Sequence, residues 1–199
     1  SPSVLPGPDA DVTYVESCPL EEWSAKYAKG GAPGATPPPE LAARYVVGSA
    51  VSLDHFSKAD LDFVFSNHVF EHLANPILVL KNWLRVLKPG GLIAGVTPDP
   101  RYTFDCRQPI TTLSEALREA ERPGHEIPRE KYERWTRWTA PAASPESLIR
   151  RDYSIHVNFF TPETFADVAE FLKTTGDLAD AIIVSALNQK DFAFALWKA

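Results

Sequence analysis

Runs of apolar residues, broken at short intervals by Pro, Gly and Asn, divide the chain into alternating strands and helices. Val12-Thr13-Tyr14-Val15, ending on Glu16, has the β-branched and aromatic content of a strand. Pro19 to about Ala28 predicts a short helix, with Glu21 and Glu22 where acids favour a helix N-terminus. Gly30 to Pro39 holds three glycines and four prolines and predicts a loop. Arg44 to Gly48 predicts a strand, and Asp62 to Asn67 is the clearest buried one. Asn75-Pro76 marks a helix start, with Asn as the cap and Pro at the first helical position. Ile77, Leu80, Leu84 and Leu87, widened by Val79, Trp83 and Val86, form its apolar stripe.

Lys88-Pro89-Gly90-Gly91 stops that helix, and Leu92 to Thr97 predicts a strand ended by Pro98-Asp99-Pro100. Leu113 to Glu121 and Lys131 to Trp138 predict short helices. Thr161, Pro162 and Glu163 open a further helix that runs to about Thr174, with Gly176 capping its end. Ala179 to Leu187 and Asp191 to Lys198 predict two closing strands, joined by a turn at Asn188-Gln189-Lys190. Strands alternating with helices and ending in a hairpin make an α/β sandwich around a mostly parallel sheet. Ligands in such sheets sit beyond the carboxyl ends of the strands. Glu16, Gly48-Ser49, Asn67-His68 and Pro98-Asp99 occupy those positions.

Composition narrows the class. A chain of 199 residues is expected to form one domain over 1–199, with 101–160 as a helical lid or acceptor-binding insertion. A net charge of −6 argues against a nucleic-acid binder. Cys18 and Cys106 form no disulfide framework and fit a reducing cytoplasm. The apolar stretch from Pro76 to Val86 is interrupted by Lys81, Asn82 and Arg85, short of the ~20 apolar residues of a membrane span. No basic segment followed by an apolar run opens the chain, and a cytoplasmic location is expected. The sequence contains no methionine and starts at Ser1, so its first residue is not expected to be the natural start.

The most specific block runs Asp62-Phe-Val-Phe-Ser-Asn-His-Val-Phe-Glu-His-Leu73, then Asn75-Pro76, then Arg85-Val-Leu-Lys-Pro-Gly-Gly91. It resembles the central half of the class I S-adenosylmethionine-dependent methyltransferases, particularly the type 11 group. His156-Val-Asn-Phe-Phe-Thr-Pro-Glu163 is similar to the same family's late segment. The resemblance implies a Rossmann-like sandwich with strand order 3-2-1-4-5-7-6, an antiparallel strand in the C-terminal hairpin, and S-adenosylmethionine as cofactor. It assigns Glu16 to the ribose hydroxyls, Ser49, Ala50 and Val51 to the adenine, and Ser66, Asn67 and His68 to the methionine end. The family's glycine-rich loop after its first strand does not occur in this sequence. A sheet lacking that strand splits and exposes two edges, and the native chain is expected to extend upstream of Ser1.

Methyl transfer from a sulfonium needs an acceptor held in line in a dry site, and a base for its proton. His68 or His156 fills that role, since an imidazole suits a base at neutral pH. His72 fits a scaffold role in the Glu-His-Leu turn, and Glu16 fits an ordinary strand-end acid as well as a ribose anchor. Acceptor recognition is expected from Asp99, Arg101, Tyr102, Trp135, Trp138 and Tyr153, which mix charge with flat aromatic faces suited to sugars, phosphates or carboxylates. The expected partner is a small-molecule or glycan acceptor, with no nucleic acid, and a homo-oligomer is open. The segment 101–160 also carries nine acids against ten bases, which suits a self-paired, solvated helical lid equally well.

Two other readings stand beside this one. The methyltransferase fold without a working cofactor loop is an inactive binding or scaffold module. His68-Val-Phe-Glu71-His72 also spells H-x-x-E-H, which carries zinc when both histidines share one helix and an acid such as Glu146 completes the set. The methyltransferase reading itself assigns no metal ligands.

Overall fold

The computed structural model describes residues 10–29, 44–186 and 190–199. They fall into two compact units, Ser1–His55 and Phe56–Ala199. The expected loop at Gly30 to Pro39 and the hairpin residues Asn188 and Gln189 lie outside the described residues.

In the first unit, β1 (Tyr14–Glu16) pairs in parallel with β2 (Tyr45–Val47), with α1 (Leu20–Lys29) between them in sequence. The pair is extended at both ends, by Tyr14 N–H to the Arg44 carbonyl at 2.7 Å and Gly48 N–H to the Glu16 carbonyl at 2.8 Å. The Tyr45 hydroxyl donates to the Cys18 carbonyl at 2.6 Å. That bond ties β2 to Cys18, two residues ahead of α1. Beyond β2 the backbone turns tightly at Gly48, where a Cβ would stand 2.7 Å from the His55 ring.

The second unit is built on a four-stranded sheet of order β3 (Leu61–Asn67), β4 (Leu87–Pro98), β6 (Asp191–Lys198), β5 (Leu178–Ser185). β3 and β4 are parallel, and β6 runs antiparallel to both β4 and β5. Three strands of this sheet therefore share one direction and β6 opposes them. The fold is the expected α/β arrangement, a mostly parallel sheet with an antiparallel strand in the C-terminal hairpin.

Helix α2 (Pro76–Val86) begins as expected. Asn75 is left-handed (φ 59°), its side chain accepts from Leu78 N–H, and Pro76 follows. Helix α6 (Pro162–Thr174) opens with a reciprocal cap between Thr161 and Thr164. Gly176, with φ +79°, sits just past its end. The insertion contains α3 (Leu113–Ala120), α4 (Arg129–Trp138) and α5 (Pro145–Arg150), the last unanticipated although Ser144 and Pro145 are standard start residues. Tyr132, Leu148, Ile155 and Val157 form a small core inside this insertion.

Two details differ from expectation. β3 is half-buried, with Ser66 its one buried residue, because it lies at the end of its sheet and has a partner on one side. β4 starts at Leu87 rather than Leu92, since Lys88 to Gly91 bulge between the paired positions Leu61↔Leu87 and Phe63↔Leu92.

The main core is aromatic. Phe70, fully buried in a short 3-10 turn (Phe70–His72), has its ring centroid 5.9 Å from Trp83, 5.7 Å from Phe165 and 6.1 Å from both Phe160 and Phe194. Phe194 in turn brings the tip of its ring over Gly95, its cross-strand partner, where any Cβ would stand 2.3 Å from Cζ. This glycine is the space that the ring occupies. Replacing Phe70 with Ala removes the central ring of the cluster and should lower unfolding free energy by about 3–5 kcal/mol in denaturant titration.

Candidate active site

The turn that follows β3 is held by its backbone before its side chains do anything. His68 adopts a left-handed conformation (φ 53°) while its N–H donates to the Val96 carbonyl at 3.0 Å, so the strand reverses direction here. Such a conformation is costly for a residue other than glycine and concentrates at functional sites. Three residues on, the Glu71 carbonyl accepts from both Val157 N–H (2.7 Å) and Asn158 N–H (3.1 Å). The Asn158 side chain donates to the Leu73 carbonyl at 2.6 Å. These bonds lock residues 155–158 against the turn and bring His156 beside His72, their ring centroids 4.6 Å apart and nearly perpendicular.

The result is an open cleft of about 550 Å³ lined by His68, Glu71, His72, Tyr102, Phe104 and His156, with Pro98, Thr103, Lys190 and Asp191 at its margins. It sits where β3 and β4 end at their carboxyl side and where β6 begins. Within it, His156 Nδ1 lies 2.6 Å from the buried carboxylate Oδ2 of Asp105. Asp105 Oδ1 accepts from the Thr139 hydroxyl at 3.0 Å, and Thr139 accepts from the Gln108 amide at 2.8 Å. A carboxylate acceptor fixes the proton on Nδ1 and leaves the other ring nitrogen of His156 with its lone pair.

His72 is arranged in the same way. Its Nδ1 is 3.0 Å from the Ile155 carbonyl, which can only accept, so the proton sits on Nδ1. Burial lowers the basicity of His72, and neighbouring His156 adds to the effect against the pull of Glu71, so His72 is neutral over a wider pH range than a free imidazole. His68 behaves oppositely. Its contact with Glu71 raises it above the ordinary imidazole value against the effect of burial, and Asp191 reinforces the rise. The distances are 3.4 Å to Glu71 Oε1 and 3.6 Å to Asp191 Oδ2. Burial pushes the Glu71 carboxyl up, but His68 and its other contacts outweigh this and hold it below the usual range. Glu71 Oε2 accepts from the buried Thr97 hydroxyl at 3.2 Å.

The residues named from sequence fall into three groups. His68, His156 and Tyr102 line the cleft together. Asp99 is buried and gripped by Arg101, which spans both its oxygens at 3.0 and 2.6 Å and reaches Glu163, so this pair braces the cleft wall after β4. Trp135, Trp138 and Tyr153 are not among the residues lining the cleft; Trp135 packs on the core of the insertion. Arg134 bonds Glu115 and the Val157 carbonyl, and Arg129 pairs with Glu133 and Glu146. These pairings follow the self-paired reading of the insertion. Glu146 is thereby committed to Arg129 and Ser144, and His68 and His72 do not share a continuous helix, since His72 ends a three-residue 3-10 turn that His68, with its left-handed backbone, lies outside. The zinc reading built on those three residues fails on this geometry.

Asp105 and Phe104, which lies 5.2 Å from the His156 ring, were missed. No local pattern marks an acid that meets its histidine 51 positions later.

In the first unit Glu16 ends β1, and Ser49 Oγ accepts from Val51 N–H (3.2 Å) and Ser52 N–H (3.4 Å), fixing the turn that carries Ala50 and Val51. In the second, Asn67 is the last residue of β3, and Ser66 Oγ is buried without a hydrogen bond.

Residues 10–95 match the family model described as a methyltransferase domain. Among solved structures, the PH0226 protein of Pyrococcus horikoshii OT3 is 17% identical with TM-score 0.50, and the match covers 96% of this chain and 73% of that one. The S-adenosylmethionine-dependent methyltransferase SibL is 12% identical, TM-score 0.48, with coverage of 96% and 44%. A Bordetella parapertussis protein is 16% identical, TM-score 0.41, with coverage of 92% and 52%. The chain spans about half the length of these last two. No curated protein matches it. Residues 10–95, under half of the chain, are thus similar to a methyltransferase domain, and the α/β fold is shared with PH0226. Among the described residues no helix is long and apolar enough to cross a membrane.

Tyr45 provides a reporter for Glu16. Burial first, then the Glu16 charge, pushes the Tyr45 phenol up to about 12. Because the folded value lies above the unfolded one near 10.0, its contribution to stability is present below pH 10 and is lost as pH rises through about 12. Alkaline titration of phenolate absorbance should show this late tyrosine. It should vanish in Tyr45→Phe and move to lower pH in Glu16→Gln.

Proposed function

We propose that this protein transfers a methyl group from S-adenosylmethionine to a small-molecule or glycan acceptor bound in the cleft between His68, Phe104 and His156. The observation that carries this reading is the His156–Asp105 pair, 2.6 Å apart, in a cleft at the carboxyl ends of β3 and β4 within a chain that matches a methyltransferase domain. Glu16, Ser49, Ala50 and Val51 of the first unit are assigned to the ribose and adenine. Ser66, Asn67 and His68 of the second are assigned to the methionine end. When bound, S-adenosylmethionine supplies an electrophilic methyl group on a positively charged sulfur.

The chain's own residues do the rest. Asp105, held by Thr139, keeps His156 in one tautomer and orientation, so that its open nitrogen takes the proton of an acceptor hydroxyl or amine. Asp105 also stabilises the imidazolium that results. His68, more basic than a free imidazole, is suited to hold a proton and to pair with an anionic acceptor group. Tyr102 and Phe104, both exposed at the mouth, offer flat faces to the acceptor, and Lys190 offers a cation. A cytoplasmic location fits a chain with two cysteines in 199 residues.

Calorimetric titration with S-adenosylhomocysteine tests the reading. One molecule should bind per chain, and Glu16→Ala should weaken binding by about 1.5–3 kcal/mol, the loss of charge-assisted hydrogen bonds. His156→Ala should leave that affinity intact while lowering methyl transfer in an acceptor screen by about 10²–10⁴-fold. A folded protein that does not bind S-adenosylhomocysteine sinks the enzyme reading and favours a scaffold.

A further inference from the structure

Glu71 presents an oddity that methyl transfer does not use. Its side chain is 2% exposed, and while Oε2 is bonded to Thr97, Oε1 makes no hydrogen bond; the His68 ring, 3.4 Å away, is too poorly aligned to provide one. A buried carboxylate oxygen without a hydrogen bond costs free energy unless something else meets it. Beside the His68 ring, two further imidazoles stand around this carboxylate. One ligand atom from each of Glu71, His72 and His156 lies within 4.8 Å of the other two.

We propose that Glu71, His72 and His156 form a binding site for a divalent transition-metal cation of the zinc type. Two imidazoles and one carboxylate on one side of an open cleft are the donor set of sites that keep coordination positions free for water or substrate. The supporting contacts match. A metal-binding histidine characteristically donates its other ring N–H to a carboxylate or a backbone carbonyl, which fixes the ring and exposes the ligating lone pair. His156 does so to Asp105 at 2.6 Å, and His72 to the Ile155 carbonyl at 3.0 Å. The third ligand is fixed from behind by Thr97 and by the two N–H groups on its carbonyl.

This set differs from the one that the H-x-x-E-H spacing suggests. His156, distant in sequence, and Glu71 stand where that reading had His68 and Glu146: the His68 ring lies between Glu71 (3.4 Å) and Asp191 (3.6 Å), and Glu146 is paired with Arg129. The cation lies in the same cleft as the acceptor, with Phe104 and Tyr102 on the open side. An oxygen-bearing acceptor, such as a hydroxyl or carboxylate compound, is the ligand its free positions would take. A bound cation changes what His156 does, from taking the acceptor's proton to holding the ion that polarises the acceptor. His72 matters to activity only in the second case.

The test is calorimetry of the intact, metal-stripped chain with Zn²⁺, alongside the visible spectrum of the Co²⁺-loaded protein. One Zn²⁺ should bind per chain at micromolar concentration or tighter, and Co²⁺ should give ligand-field bands without thiolate charge transfer. Glu71→Gln and His72→Ala should each weaken Zn²⁺ by more than about 100-fold, and Asp105→Asn by about 10–100-fold. Cys106→Ser, the exposed thiol, should leave binding unchanged. Absence of binding by the folded chain, or binding that survives Glu71→Gln and His72→Ala, overturns the site. Should His72→Ala fail to fold, X-ray absorption of the zinc-loaded parent decides. Two imidazoles at about 2.0–2.1 Å support the site, and sulfur or no imidazole overturns it. S-Adenosylhomocysteine is titrated into the same samples. Its binding without zinc removes the cation site alone, and zinc without it removes the methyl-transfer reading alone.

Discussion

The carbonyl of Glu71 accepts two backbone N–H groups, from Val157 and Asn158, and the second unit's site depends on this junction. It joins the end of the Asp62–Asn67 segment to a strand-like stretch more than eighty residues later. Phe70, one position earlier, is buried among four aromatic rings, so the turn cannot rotate without opening the core. Hydrogen bonds set the register of the two segments, and the phenyl ring supplies the apolar burial that keeps them there. His72 and His156 meet because of both.

Around that junction the polar groups are arranged to hold histidines rather than to expose them. Gln108, Thr139 and Asp105 form a chain of hydrogen bonds that ends on His156. The Val157 carbonyl, next to His156, accepts from both Lys131 and Arg134. Lys131 and Arg134 thus brace the segment that carries the histidine, while their own charge is met by Glu115 and Glu119. The insertion contributes a wall and a support more than a charged surface. Its exposed contributions to the cleft are Tyr102 and Phe104, which lie at its start.

The same logic explains the split behaviour of the three cleft histidines. Burial and the neighbouring His156 make His72 less basic, against Glu71 and the Ile155 carbonyl, which favour its charged form; His68 is more basic because it stands beside two carboxylates. Environment, not residue type, assigns their roles. A cleft holding a neutral imidazole, a basic one and a carboxylate-bound one can orient, protonate and deprotonate an acceptor within a few ångströms.

Much of this protein is legible in its sequence, because the signals are local. Asn75-Pro76 and Thr161-Pro162 specify helix starts through capping geometry, and both helices begin there. The run from Asp62 to Asn67 and the Lys-Pro-Gly-Gly block place the strand–helix–strand unit, and His68 and His156 stand out by type and position. What sequence misjudged is set by neighbours: the exposure of β3 follows from its place at the end of a sheet, and the early start of β4 from its register with Leu61. Asp105 carries no mark of its own; it becomes the partner of His156 only when the insertion folds back over 51 residues. The H-x-x-E-H reading took His68, His72 and Glu146 as ligands, and of these His72 alone belongs to the Glu71, His72, His156 cluster. Spacing encodes which side chains share a turn of chain. Which of them face one another is decided by backbone hydrogen bonds between distant segments, and those exist only in the folded protein.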